Sequence, residues 1–136
     1  MVVVDGQGLP LGVYLSSATP SETTLIETTL DHVAPNAEGE EAIERLVYDK
    51  AADSDALRLD LADRGIDLIC PHRKGRKRPA LQDGRSLRRY RRRWTVERSI
   101  AWLGNHRRLL VRHEYYSFMF LAFVHLACAL IALKRL

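Results

Sequence analysis

Two carboxylates in this 136-residue chain, Asp49 and Glu97, stand where their type and setting could support chemistry. Asp49 closes a short apolar run, Ile43 to Tyr48, and is followed by the small residues Ala51 and Ala52. A carboxylate at the carboxyl end of a buried strand lies on the edge of an α/β sheet where ligands bind. Taken alone, though, Asp49 reads as a turn or capping residue. Glu97 is the lone acid of a stretch that holds Arg91, Arg92, Arg93 and Arg98. An ion-paired surface glutamate is the plain reading. A single carboxylate in a basic surface is also what a metal-dependent nuclease needs, because it gives Mg²⁺ a hard oxygen ligand where DNA phosphate arrives. On a continuous helix Arg93 and Glu97, four residues apart, share a face, with Tyr90 close to it.

The charge distribution points to the same partner. The formal net charge is only +4. Yet Arg73, Lys74, Arg76, Lys77, Arg78, Arg85, Arg88, Arg89, Arg91, Arg92, Arg93, Arg98, Arg107, Arg108 and Arg112 face only Asp83 and Glu97 within one stretch. Such a field attracts a polyanion, and nucleic acid is the commonest. Hydrophobic residues make up 46% and charged residues 28%, values of an ordinary globular chain and not of a disordered one. Cys70 and Cys128 have no partner at metal-ligand spacing and read as buried, reduced thiols. No secretory signal precedes them, so a cytoplasmic setting is expected.

The elements that must position these residues follow from pattern. The opening, residues 1–17, reads as a hairpin of two β-branched runs around a glycine-containing turn. Ser21 is set to cap a helix over Glu22 to Val33, and Ala34 to Gly39 is a polar loop. Residues 43–70 read as strand, helix, strand. Ser54 or Asp53 would be the N-cap, Asp53 and Asp55 would favour the helix dipole, and Gly65 would be the C-cap glycine. That order predicts a partly parallel sheet and an α/β fold. Residues 71–86 form a basic loop expected to be mobile, a long helix bearing Glu97 is expected over 87–110, and residues 117–134 form an apolar helix. The run Ser117 to Leu133 sits at the lower limit of what spans a bilayer and reads as a helix buried on the sheet.

The run Tyr90-Arg91-Arg92-Arg93-Trp94-Thr95-Val96-Glu97-Arg98 resembles the Tyr-x-x-Arg-x-x-x-Glu signature of insertion-sequence transposases. Ala101 to Leu109, Leu121 to Ala127, Tyr48 to Asp55 and Val4 to Leu11 are similar to the insertion-sequence-five family, in the same order along the chain. The resemblance covers essentially the whole sequence. It implies a ribonuclease-H-like mixed sheet flanked by helices and a DDE triad that binds two divalent ions, Mg²⁺ or Mn²⁺. Asp49 would be the second carboxylate of that triad and Glu97 the third. Tyr90 and Arg93 match positions that serve DNA and phosphate contact, and Arg98, Arg107 and Arg108 extend the basic surface.

Two departures from the family pattern accompany the match. Gly104 stands where the signature has a lysine, with Arg107 or Arg108 as the nearest replacements. The first aspartate of the triad belongs to a strand before the hairpin, and Asp5 matches a turn position instead. The sheet is therefore expected to lack its first strand, and the chain alone is expected to hold a metal pair poorly. A truncated element and a downstream frame completed by ribosomal frameshifting both fit. Expected partners are DNA, an upstream-frame product or full-length transposase, and further copies of the chain once complete, with no membrane. A non-catalytic DNA-binding fragment that modulates full-length transposase is the alternative reading, and a small membrane-associated protein a third.

Overall fold

The computed structural model describes residues 1–33, 43–77, 79 and 84–135. The loop expected over Ala34 to Gly39, and Arg78 and residues 80–83 of the basic stretch, lie outside the described residues. Among the described residues the fold is α/β, with helices and two small sheets. By its internal contacts the chain divides into two compact units, one discontinuous (Met1–Ala34 with Trp94–Leu136) and one continuous (Pro35–Arg93).

In the discontinuous unit, β1 (Val2–Val4) pairs antiparallel with β2 (Pro10–Val13), Val2 opposite Val13 and Val3 opposite Gly12. The turn between them is made by Asp5. Its Oδ1 accepts the amides of Gln7 and Leu9, both at 2.8 Å, a side-chain imitation of a backbone turn. The helix expected over Glu22 to Val33 is shorter: a 3-10 stretch, Glu22–Leu25, runs into α1 (Ile26–Leu30), and the Ser21 side chain caps neither.

The single helix expected over 87–110 is three pieces. Residues Ser86–Arg93 form a 3-10 stretch in the continuous unit. The other two are α3 (Trp94–Gly104) and α4 (Arg107–Leu110). The breaks have physical causes. The stretch Ser86–Arg93 buries none of its residues, so it lacks the packed apolar face from which an α-helix draws most of its stability. At the other break, Gly104 and Asn105 are poor helix formers with no apolar face to continue.

The last helix, α5 (Ser117–Leu133), buries Val124, Ala127 and Ile131. Leu103, Ala127 and Ile131 form a core with Val2, Trp102, Leu109 and Cys128 against it. The burial expected for this helix holds for one face only, since Phe118, Met119, Leu126, Leu130 and Leu133 are exposed. Among the described residues no helix is long and apolar enough to cross a membrane.

The continuous unit contains β3 (Arg45–Val47), α2 (Asp55–Asp63) and β4 (Asp67–Ile69). The two strands run parallel, with Leu46 opposite Leu68, and α2 is their crossover. Ser54 caps α2 by accepting the Leu57 amide at 3.4 Å. At the other end the Ile66 amide donates to Leu61 O and the Gly65 amide to Ala62 O, with Gly65 at φ +77°, a Schellman stop. Leu57, Leu61, Ile66, Leu68, Ile69 and Cys70 are buried.

Candidate functional site

Asp49 and Glu97 fall in different units. Asp49 lies two residues past β3 and is half-buried. It starts a one-turn 3-10 segment, Lys50–Ala52, and its Oδ1 accepts the Ala51 amide at 2.7 Å. Among the described residues, Asp49 has no other side-chain partner.

The charged centre of this unit is Asp53, whose side chain is 2% exposed. Its Oδ1 faces Arg58 Nη2 at 3.3 Å, His72 Nδ1 at 2.8 Å and Arg76 Nη1 at 3.2 Å, and its Oδ2 accepts the Arg73 amide at 2.8 Å. Burial alone would raise this carboxyl. The Arg73 amide, then His72 and Arg58, outweigh it and hold the group at about 2. Arg58, 9% exposed, also donates to Leu68 O and Cys70 O, tying the end of β4 to the hub. Arg76 reaches Asp55 at 2.6 Å as well. Of the two N-cap candidates for α2, Ser54 is the cap, and Asp53 serves the hub and not the helix dipole. In the basic loop, His72, Arg73 and Arg76 bond to Asp53. The partners of Asp53 lie up to 23 residues away, too far for any local pattern to signal.

The 3-10 stretch Ser86–Arg93 closes this unit, and three residues per turn sort its side chains into rows. Tyr90 and Arg93 share one row, with the guanidinium 6.0 Å from the ring centroid. Arg88 with Arg91 and Arg89 with Arg92 form the other two rows, all exposed and without an ion pair among the described residues. Arg93 ends the 3-10 stretch, and the α-helix that carries Glu97 begins at Trp94.

In the discontinuous unit Glu97 is exposed on the first turn of α3. Next to it, Arg98 lies between Trp94 and Trp102, at 4.8 and 4.9 Å from their rings, and donates to Gln7 O at 2.6 Å. Arg135 covers Trp102 at 3.6 Å. The spacing Trp94, Arg98, Trp102 at every fourth residue was the available signal for this ladder. The next residue, buried Ser99, has its Oγ 2.7 Å from Gly8 O, so α3 grips the hairpin turn at Gln7 and Gly8. Gly8 has φ +89°, and a Cβ there would sit 2.8 Å from Ser99 Oγ. Gly8→Ala is therefore expected to lower stability by about 2 kcal/mol, read from urea unfolding. Of the remaining sequence-expected residues, Arg108 pairs with Glu114 at 3.2 Å, whereas Arg107 is exposed with no ion pair among the described residues.

A divalent ion is tested by donor chemistry. The described residues contain no group of three or more His, Cys, Asp or Glu around one point. Mg²⁺ does not require one, since it is commonly held by one or two carboxylates with water and substrate phosphate. The hard oxygens of Asp49 and Glu97 are of that type.

The sequence of this chain matches the transposase DDE domain family over residues 1–132. It is 34% identical over 139 residues to a Burkholderia cepacia protein whose name describes it as a transposase for insertion sequence element IS402. That alignment covers 99% of this chain and 62% of the relative, so the chain spans less than two thirds of the relative's length. No solved structure matches. The chain belongs to the transposase DDE domain family.

Proposed function

We propose that this chain is the catalytic portion of an insertion-sequence transposase of the insertion-sequence-five type, acting in DNA transposition by metal-dependent strand cleavage and strand transfer. The observation that carries the reading is the family match over residues 1–132, joined to a carboxylate, Asp49, at the carboxyl end of a parallel strand. A strand, crossover helix and strand with an acid at the strand end is the local form a ribonuclease-H-like sheet requires.

In this reading Asp49 and Glu97 are the chain's ligands for Mg²⁺ or Mn²⁺. The bound ions supply an activated water or 3′-hydroxyl and a counter-charge for the leaving oxygen at phosphorus. The protein's own part is positioning. Asp49 is tethered by the Ala51 amide, Glu97 rides on a helix locked to the hairpin, and exposed arginines hold phosphate. Among the described residues, Arg88, Arg89, Arg91, Arg92 and Arg107 are exposed and without an ion pair, and would make that contact, with Tyr90 and Arg93 beside the first four. Arg98 and Arg108 are engaged within the protein and contribute through field more than through direct bonds.

The exposed arginine rows also favour a second reading, DNA binding by this chain alone as a modulator of full-length transposase. Four phosphate contacts from Arg88, Arg89, Arg91 and Arg92 predict a slope of log K against log salt near −3.6. Arg89→Ala and Arg91→Ala should each shallow that slope by about 1. Binding that is indifferent to salt counts against both readings. Cleavage of element ends by the chain with an upstream segment supplied separates the two.

A further inference from the structure

Asp53 is a buried acid that the proposed reaction does not use, and its acceptor capacity is filled by protein donors. Its bonds form a ring that returns to Asp49. Asp49 Oδ1 accepts the Ala51 amide. The Arg73 guanidinium donates to Lys50 O at 3.1 Å and to Ala51 O. The Arg73 amide in turn donates to Asp53 Oδ2. Arg73 follows β4, so the ring joins the ends of both parallel strands.

The turn in between needs this help. It is a single 3-10 turn whose own backbone bonds, Ala52 N to Asp49 O and Asp53 N to Lys50 O, measure 3.1 and 3.4 Å. So short a 3-10 segment is weak by itself. A ligand carboxylate has to be held to within about 0.5 Å. We propose that Asp53 and Arg73 form a positioning clasp that fixes the turn carrying Asp49, and so presents its carboxylate to a divalent cation. The proposal rests on the reading of Asp49 as a cation ligand.

The test uses this chain with Mn²⁺ as the probe, followed by electron paramagnetic resonance, together with amide hydrogen exchange. Arg73→Ala discriminates by sign. Removing a cation near a metal site should by electrostatics tighten Mn²⁺ binding, whereas loss of positioning loosens it. The expected result is an affinity lowered about tenfold, with Ala51 exchanging about tenfold faster. The Tyr48 amide, bonded to Ile69 O, should stay protected and report an intact strand pair. Asp53→Asn should reproduce the Ala51 effect.

Unchanged or tighter Mn²⁺ binding by Arg73→Ala overturns the clasp. So does simultaneous loss of Tyr48 protection, which would make the pair a part of the general fold. Should Asp49→Asn bind Mn²⁺ as the wild type does, the ligand reading of Asp49 fails instead. Ala51 exchange in Arg73→Ala then decides the clasp alone, faster exchange supporting it and unchanged exchange overturning it.

Discussion

Glu97→Gln and Asp49→Asn are each expected to lower Mg²⁺-dependent cleavage of element ends by at least about a hundredfold, assayed with the upstream segment supplied. Losing only an outer partner of a metal site costs about 10–100-fold, so losing a ligand sets a higher floor. Both substitutions keep shape and remove charge. Asparagine at position 49 can still accept the Ala51 amide, because it caps as well as aspartate does. Glu97 is exposed, and glutamine there leaves the core untouched. Urea midpoints of both variants should therefore match the wild type. Asp5→Asn is the control: its carboxylate serves the hairpin turn, and cleavage should persist. Full activity in Glu97→Gln would remove Glu97 from the site.

Asp53→Ala is expected to destabilise the chain by about 3 kcal/mol, measured by urea unfolding. The substitution strands the Arg58 guanidinium, 9% exposed, without a carboxylate, while Arg76 keeps Asp55. Removing one partner of a buried ion pair costs about 3–5 kcal/mol, because the other charge stays desolvated and uncompensated. The same residue sets an acid limit. Its folded-state value of about 2 lies below the ordinary 3.8, so the linked stability is complete above about pH 4 and is lost as pH falls toward 2. The amount is about 2 kcal/mol. Asp53→Asn should flatten that part of the pH profile. An unchanged acid limb in the variant would show that other carboxylates govern it.

The local elements were readable because their signals are local. Ser54 and Gly65 bracket α2 as cap chemistry requires, and the apolar run Ser117 to Leu133 is the helix α5. The parallel pairing of β3 and β4 followed from strand, helix, strand order. Reading failed where neighbours in space are far apart in sequence. A helical signature does not say that crowded arginines will settle into a 3-10 stretch. Nor does the sequence say that Arg73 and Arg76, counted as part of a field for nucleic acid, are engaged by Asp53 and the carbonyls around it. As for the site, Asp49 and Glu97 stood out through family resemblance, since spacing alone leaves each as an ordinary cap or surface acid. Arg98 was legible as a cation in a basic run, but its place between Trp94 and Trp102 changes what it can reach.

The threading of the two units sets an order of events during synthesis. Residues Pro35–Arg93 form a continuous unit and can collapse as soon as they leave the ribosome. The hairpin cannot, because the bonds that dock its turn, Arg98 to Gln7 O and Ser99 to Gly8 O, span 91 residues. At about 5–20 residues per second the first strands wait roughly 5–20 s for α3 to appear. During that interval the β-branched hairpin has α1 but neither α3 nor α5 against it, which is when a nascent chain is most exposed to mispairing. Chaperone demand should therefore fall on the hairpin β1–β2, while the hub around Asp53 is already assembled.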